Sequence, residues 1–417
     1  MKYRNLQELD LAGQRVLIRA DFNVPQDKAT LAITNNQRIV SALPTIRHAL
    51  KQGASVVLMS HLGRPNGESV AKFSLRPIAD ELTRLLGVEV AFLDDCVGEQ
   101  VLQHCSPTNL KPGSVVLLEN VRFHIEEEGK RKLIDANGVK STEKADPERV
   151  ARFRSDLAAL GDVFVSDAFG TAHRAHSSVS GVAERLPSAA GLLLQQELVA
   201  FEKVLSKPER PFVAILGGAK VSDKLPVIEN LLPKVDKLII GGAMAYTFLR
   251  QQGHEVGTSL VEQDLLSEAG RVLAQAEAAG KEILLPVDHV CAAEFAADAE
   301  ASIHEGNIPD GLMGLDIGPQ SMQNYVAALN GAQTVIWNGP MGVFEMDAFC
   351  KGTEGVAHAV AAATEAGAFT VVGGGDSVAA AVKLGITDKL SHVSTGGGAS
   401  LELLEGKTLP GVAALEK

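Results

Sequence analysis

Short runs of aliphatic and β-branched residues recur along the whole chain, each followed by an amphipathic stretch of helical length. Few folds admit that alternation. The first half carries RVLIRADF (15–22), SVVLMSH (55–61), EVAFL (89–93), SVVLLEN (114–120) and DVFVSDAFG (162–170). The second half carries PFVAILGG (211–218), KLIIGG (237–242), EILLPVD (282–288), TVIWNGP (334–340), FTVVGGGD (369–376) and HVSTGGG (392–398). Runs that are apolar throughout, rather than alternating, indicate strands buried on both faces, and the helices between them then make the strands parallel. Two such series in 417 residues predict an α/β protein with two doubly wound, Rossmann-like parallel-sheet domains. The division is expected within residues 186–205, where Pro187 is placed to open a long helix joining the two lobes and serving as a hinge. The domains are then 1–185 and 206–403.

Composition closes off other classes. Hydrophobic residues make up 46% and charged residues 22%, a globular mix that excludes a disordered chain, a collagen and a coiled coil. With 39 Lys+Arg against 51 Asp+Glu the net charge is −12, which argues against nucleic acid or an anionic membrane as partner. Cys96, Cys105, Cys291 and Cys350 form no C-x-x-C and match no zinc or disulfide framework, so they are expected as free thiols in a reducing compartment. The first fourteen residues are polar, without a signal-like apolar core. The longest uncharged stretch, 317–344, is interrupted by Pro319, Asn324, Asn330, Asn338 and Pro340 and suits no membrane span. The expectation is a cytoplasmic protein. Residues 126–148 hold 12 charges of mixed sign in 23 residues and read as a solvated excursion.

Ligands of open α/β sheets bind at the carboxyl ends of the strands. In the first half those ends are polar and basic: Asp21 and Asn23 with Phe22, Arg38 in the next connection, His61-Leu62-Gly63-Arg64, Arg122, and His173-Arg174. Guanidinium forks match phosphate and carboxylate oxygens two at a time, so these arginines imply a small, heavily anionic ligand. A metal at His61 and His173 lacks a third ligand of matching spacing, and His176 is read as structural. In the second half the ends are glycine-rich: Gly217-Gly218, Gly241-Gly242, Gly339, Gly373–Gly375 and Gly396–Gly398. Bare amides and helix N-termini there suit a nucleotide's phosphates. GGAKVSDK (217–224) adds Lys220 and Lys224, which would share one face if the segment is a helix. Asp376 is a candidate magnesium partner or helix N-cap, and Glu345 a candidate acceptor for a ribose. The segment is not a G-x-x-x-x-G-K-[ST] loop, and no G-x-G-x-x-G fingerprint occurs in a suitable context.

RADFNVP (19–25), HLGRP (61–65), NVRF (120–123), DAFGTAHRAHSS (167–178), GGAKVSDK (217–224), WNGPMGVFE (337–345) and GGGDS (373–377) together resemble the phosphoglycerate kinase family in order and spacing. The resemblance runs from about residue 4 to about residue 410 and implies a monomeric glycolytic enzyme, a phosphotransferase with a carboxyl group as acceptor. Such an enzyme passes a phosphoryl group between 1,3-bisphosphoglycerate and ADP, giving 3-phosphoglycerate and Mg-ATP. By motif, Asp21, Asn23, Arg38, His61, Arg64, Arg122 and Arg174 fall at phosphoglycerate positions, with Phe22, Leu62, Gly63 and His173 beside them. Gly218, Lys220, Lys224, Gly242, Asn338, Glu345, Gly374, Gly375, Asp376 and Ser377 fall at nucleotide positions, Asp376 toward Mg2+. Ser377 stands where many relatives have Thr. The family's C-terminal tail folds back on the first lobe, which assigns residues 404–417 there.

The chemistry needs no general base, because a carboxylate and an ADP β-phosphate oxygen are both ionised at neutral pH. It needs alignment and charge neutralisation, expected from Arg38, Lys220, Lys224 and the amides at Gly374 and Gly397, after hinge closure. Two other classes share the architecture: a nicotinamide-dependent dehydrogenase and a two-lobed solute-binding protein. The missing dinucleotide fingerprint speaks against the first, and two chemically distinct ligand edges against the second.

Overall fold

Each of the apolar runs becomes a strand of a parallel sheet in the computed structural model, which describes residues 3–134 and 138–416. The chain divides into two compact units, Met1–Leu198 with Thr408–Lys417, and Val199–Lys407.

The first unit contains β1 (Arg15–Ala20), β2 (Ser55–Met59), β3 (Val90–Leu93), β4 (Val115–Leu118), the hairpin β5 (Lys130–Ile134) and β6 (Lys140–Lys144), β7 (Val163–Asp167) and β8 (Ser188–Ala190). Its six-stranded sheet runs β3-β4-β2-β1-β7-β8, all neighbours parallel. Val16, Leu17 and Ile18 are all fully buried, so both faces of β1 are covered, as the unbroken apolar run requires. Strand order reverses between β1 and β7, which places a crevice at Ala20 and Asp167.

The second unit contains β9 (Phe212–Leu216), β10 (Lys237–Ile240), β11 (Glu282–Leu284), β12 (Asp288–Ala292), β13 (Ser302–Glu305), β14 (Met313–Ile317), β15 (Thr334–Asn338), β16 (Phe369–Val372) and β17 (His392–Val393). Its parallel sheet runs β11-β10-β9-β15-β16-β17, with the reversal between β9 and β15. β13-β12-β14 form a separate antiparallel sheet that the sequence reading did not anticipate. EILLPVD, read as one strand, is split between β11 and β12, because Pro286 has no N–H for a ladder.

The expected helix start at Pro187 is corrected. Residues 188–190 extend the first sheet as edge strand β8, and the helix is Leu192–Ser206. Asp167 decides the boundary: its Oδ1 accepts the N–H groups of Leu193 (3.0 Å) and Leu194 (3.2 Å), satisfying two orphan donors of the first turn. Thr408–Lys417 belongs with the first unit, and Gly411 N–H donates to Ala172 O at 2.8 Å. Residues 397–404, by contrast, form a helix of the second. The reading of 126–148 as wholly solvated also changes, since Glu126 and Glu127 are buried; residues 135–137 of that segment lie outside the described residues.

Candidate active site

Positive charge converges at the carboxyl end of β1 and the loops beside it. Arg38, half-exposed in the first turn of the helix Gln37–Lys51, pairs with the buried Asp21 carboxylate. Asn23 fixes the loop after β2: its Oδ1 accepts Gly63 N–H at 2.8 Å. Arg122 donates to Gly63 O at 2.9 Å and pairs with Glu128 at 2.9 Å. Asn120 ties the same loops together by donating to Leu62 O and Phe73 O. Phe22 is fully buried, its N–H on Ser60 Oγ at 2.8 Å.

His61 is buried, and desolvation first, then Arg122, Arg19, Arg38 and His176, hold its pKa well below the ordinary imidazole value. Burial, then Arg122, Arg19, Arg174 and His173, bring His176 down to about 3. Burial also lowers Arg122, and Arg64 adds repulsion there. The four arginines named from sequence thus act on one set of neighbours. Arg64 and Arg174 are exposed, and His173 is half-buried.

Arg19 was missed, and it is the most buried cation of the group, with no exposed surface. It sits inside a β-strand run, where the sequence gives no sign that a charge is turned inward. Its Nη2 lies 3.2 Å from His61 Nδ1. Guanidinium only donates, so Nδ1 accepts, and the neutral His61 carries its proton on Nε2.

The second unit holds a cavity of about 650 Å3 at the β9/β15 reversal. Of the residues named for a nucleotide, Gly218, Lys220, Lys224, Asn338, Gly374, Gly375, Asp376 and Ser377 line it, as does Gly397. Gly242 and Glu345 do not. Gly242 lies behind Gly218, where a Cβ would come within 2.6 Å of the Gly218 backbone, and Glu345 is exposed. Ser222, Asp223, Leu401 and Glu405 also line it and were not foreseen.

Backbone approach explains the glycines. A Cβ on Gly217 would lie 2.0 Å from Pro340 O, so only glycine lets β9 and β15 end side by side. Gly374 has φ +92°, a conformation side chains disfavour, and caps the helix Gly375–Lys383. Gly396 caps the helix Gly397–Leu404. A Cβ on Gly397 would stand 3.4 Å from Gly375 N, so two helix N-termini open onto the same space. Their free amides and dipoles suit an anion. The N-cap position is taken by Gly374, so Asp376, exposed in the first turn, is not the capping residue.

Lys220 and Lys224 do not share a helix face. The segment before Leu225 is a turn in which Ser222 bonds Glu262, and local side-chain bonds of this kind compete with helix. Both lysines nevertheless reach the cavity. Burial lowers the Lys224 pKa, while the Asp376, Asp223 and Glu405 carboxylates oppose that shift. Its Nζ donates to Asn338 Oδ1, and Asn338 Nδ2 donates to Gly373 O at 2.9 Å.

Asp95, Cys96 and His124 bring three possible ligand atoms within 4.8 Å of one another. The Asp95 and His124 side chains already bond each other at 2.7 Å, and burial raises the Cys96 thiol well above its ordinary value, so the cluster is a hydrogen-bonded pair over a buried thiol. Among the described residues no helix is long and apolar enough to cross a membrane.

A family model for phosphoglycerate kinase matches residues 6–407. A probable phosphoglycerate kinase of Caenorhabditis elegans is 56% identical over 414 residues, 98% of this chain and 97% of that protein. A phosphoglycerate kinase of Funneliformis mosseae is 54% identical over 416 residues, 99% of this chain and 98% of that protein. Among solved structures, the phosphoglycerate kinase of Coxiella burnetii aligns with TM-score 0.86 at 40% identity, covering 99% of both chains.

Proposed function

The chain belongs to the phosphoglycerate kinase family, whose reaction is reversible phosphoryl transfer between 1,3-bisphosphoglycerate and ADP, and from that premise we propose how its own residues divide the work. The first unit holds the glycerate: Arg38, Arg64, Arg122 and Arg174 supply forks for phosphate and carboxylate oxygens, with Asp21 and Asn23 fixing the loops that carry them. Neutral His61 offers an Nε2–H donor without adding charge. The second unit holds the nucleotide, its phosphates on the amides of Gly374, Gly375, Gly397 and Gly398.

The carrying observation is that two helix N-termini and two lysines open onto one cavity, so that amide donors and positive charge converge where a phosphate would lie. That suits a loose phosphoryl transition state, in which both nucleophiles are already ionised. Lys220, Lys224 and Arg38 neutralise the charge that develops, and closure of the two units excludes water that would hydrolyse the acyl phosphate.

A magnesium ion carried with the nucleotide fits this lining. Mg2+ is held by one or two carboxylates together with phosphate oxygens, and Asp376 is an exposed carboxylate at the mouth of the amide cradle. The ion would neutralise phosphate charge, and Asp376 would hold it. We read the enzyme as a cytosolic monomer acting on small molecules alone.

The direct test is a coupled assay with ADP and 1,3-bisphosphoglycerate, run beside an NADH titration. ATP formation and weaker binding of NADH than of ADP are expected. NADH binding more tightly, with no ATP formed, would return the dehydrogenase reading.

A further inference from the structure

Arg19 is a fully buried cation, and a buried charge persists only when every donor is met and a counter-charge is near. Its Nη1 donates to Ala20 O and its Nη2 to His61 Nδ1 at 3.2 Å. Its Nε donates to Ser178 Oγ at 2.8 Å. Ser178 Oγ in turn donates to Glu127 Oε1 at 2.6 Å, and Ser178 N–H donates to Glu127 Oε2 at 2.9 Å. Both Ser178 and Glu127 are buried, and Glu127 is the foremost charge opposing the desolvation of Arg19. His176 Nδ1 stands 3.8 Å from Glu127 Oε1, too far for a hydrogen bond, and its imidazole is neutral.

We propose that Glu127 and Ser178 are positioning residues for the glycerate site: they hold Arg19, which fixes the tautomer and orientation of His61. Arg19 donates both ways along the row Glu127–Ser178–Arg19–His61, to Ser178 Oγ on one side and to His61 Nδ1 on the other, and the second bond leaves His61 Nε2–H as the donor available to a substrate oxygen. Glu127 lies in the segment whose charge density suggested a solvated excursion, so that segment is anchored to the site by its first carboxylates. The inference rests on the reading that this basic cluster binds 3-phosphoglycerate.

Two variants of the full chain test it. Ser178→Ala keeps both charges and removes the bridge; Glu127→Gln keeps the shape and removes the counter-charge. Calorimetric titration should show 3-phosphoglycerate bound about tenfold more weakly in each, with ATP affinity within about twofold of wild type. Nitrogen NMR of the histidines should show His61 purely Nε2–H in wild type and a mixture of tautomers in Ser178→Ala. Unchanged 3-phosphoglycerate affinity in Ser178→Ala, or an equal loss for both ligands, overturns the proposal; if Glu127→Gln does not fold, Ser178→Ala alone decides. Arg122→Ala in the same titration tests the underlying reading. Binding that survives there defeats that reading, whereas binding lost there but kept in Ser178→Ala defeats only the positioning role.

Discussion

Lys224 Nζ donates to the side-chain oxygen of Asn338, joining the turn after β9 to the end of β15 across the floor of the second unit's cavity. The ammonium is therefore held in place before any ligand arrives. Preorganised charge of this kind acts most strongly where charge develops in the transition state.

Lys224→Ala should lower kcat by about a hundredfold while KM for ATP changes by less than about threefold. Steady-state kinetics in the ATP-forming direction measure both. A kcat within about twofold of wild type would remove Lys224 from the transferring group.

Arg38→Ala should behave in the same way toward kcat. It should also release Asp21 from its ion pair, at a small cost, since Arg38 is half-exposed. A rise in KM for 3-phosphoglycerate at constant kcat would instead make Arg38 a binding group only.

Two glycines should separate stability from function. Gly397→Ala meets nothing nearer than 3.4 Å, so Tm should hold while the methyl group intrudes on the phosphate cradle and KM for ATP rises about tenfold. Gly217→Ala places a carbon 2.0 Å from a carbonyl oxygen and should cost about 3 kcal/mol in unfolding free energy, read by urea titration.

Asp376→Ala should weaken the Mg2+ dependence of ADP binding. Half-saturation by Mg2+ at fixed ADP should rise about tenfold, with metal-free ADP binding little altered. Equal Mg2+ titrations for variant and wild type would place the ion elsewhere.

Burial raises Asp167 from 3.8 to about 7, against the bonds it accepts from Leu193 and Leu194. The folded protein then binds a proton that the unfolded chain has released between about pH 4 and pH 7. Stability therefore falls as pH rises through that window, by on the order of 4 kcal/mol from this group, and levels off above it. Asp167→Asn keeps an acceptor for the helix and should flatten its share of the slope in denaturant titrations from pH 4 to pH 8. Asp316, likewise raised to about 7, keeps its own share.

Strand positions were legible because apolar runs covered on both faces have a local signature. The two sheet ends that carry the candidate residues were legible because parallel sheets send their loops after the strands to one end. The edge strand β8 was not, since Ser188–Ala190 is neither β-branched nor long and exists only by pairing with β7. The turn at Lys220–Lys224 was missed because its stability comes from Glu262, far along the chain.

The amino-acid order alone thus determined the fold class, the alternation of strand and helix, and which chemical groups terminate each strand, because those follow from periodicities of a few residues. Folding in three dimensions decided which of these groups meet. It turned Arg19 and Glu127 inward to face each other through Ser178, and put Gly242 behind Gly218, away from the cavity lining. The physical reason is that burial and pairing of a charge depend on neighbours more than a hundred positions away, as Arg19 and Ser178 are, and no local pattern encodes them.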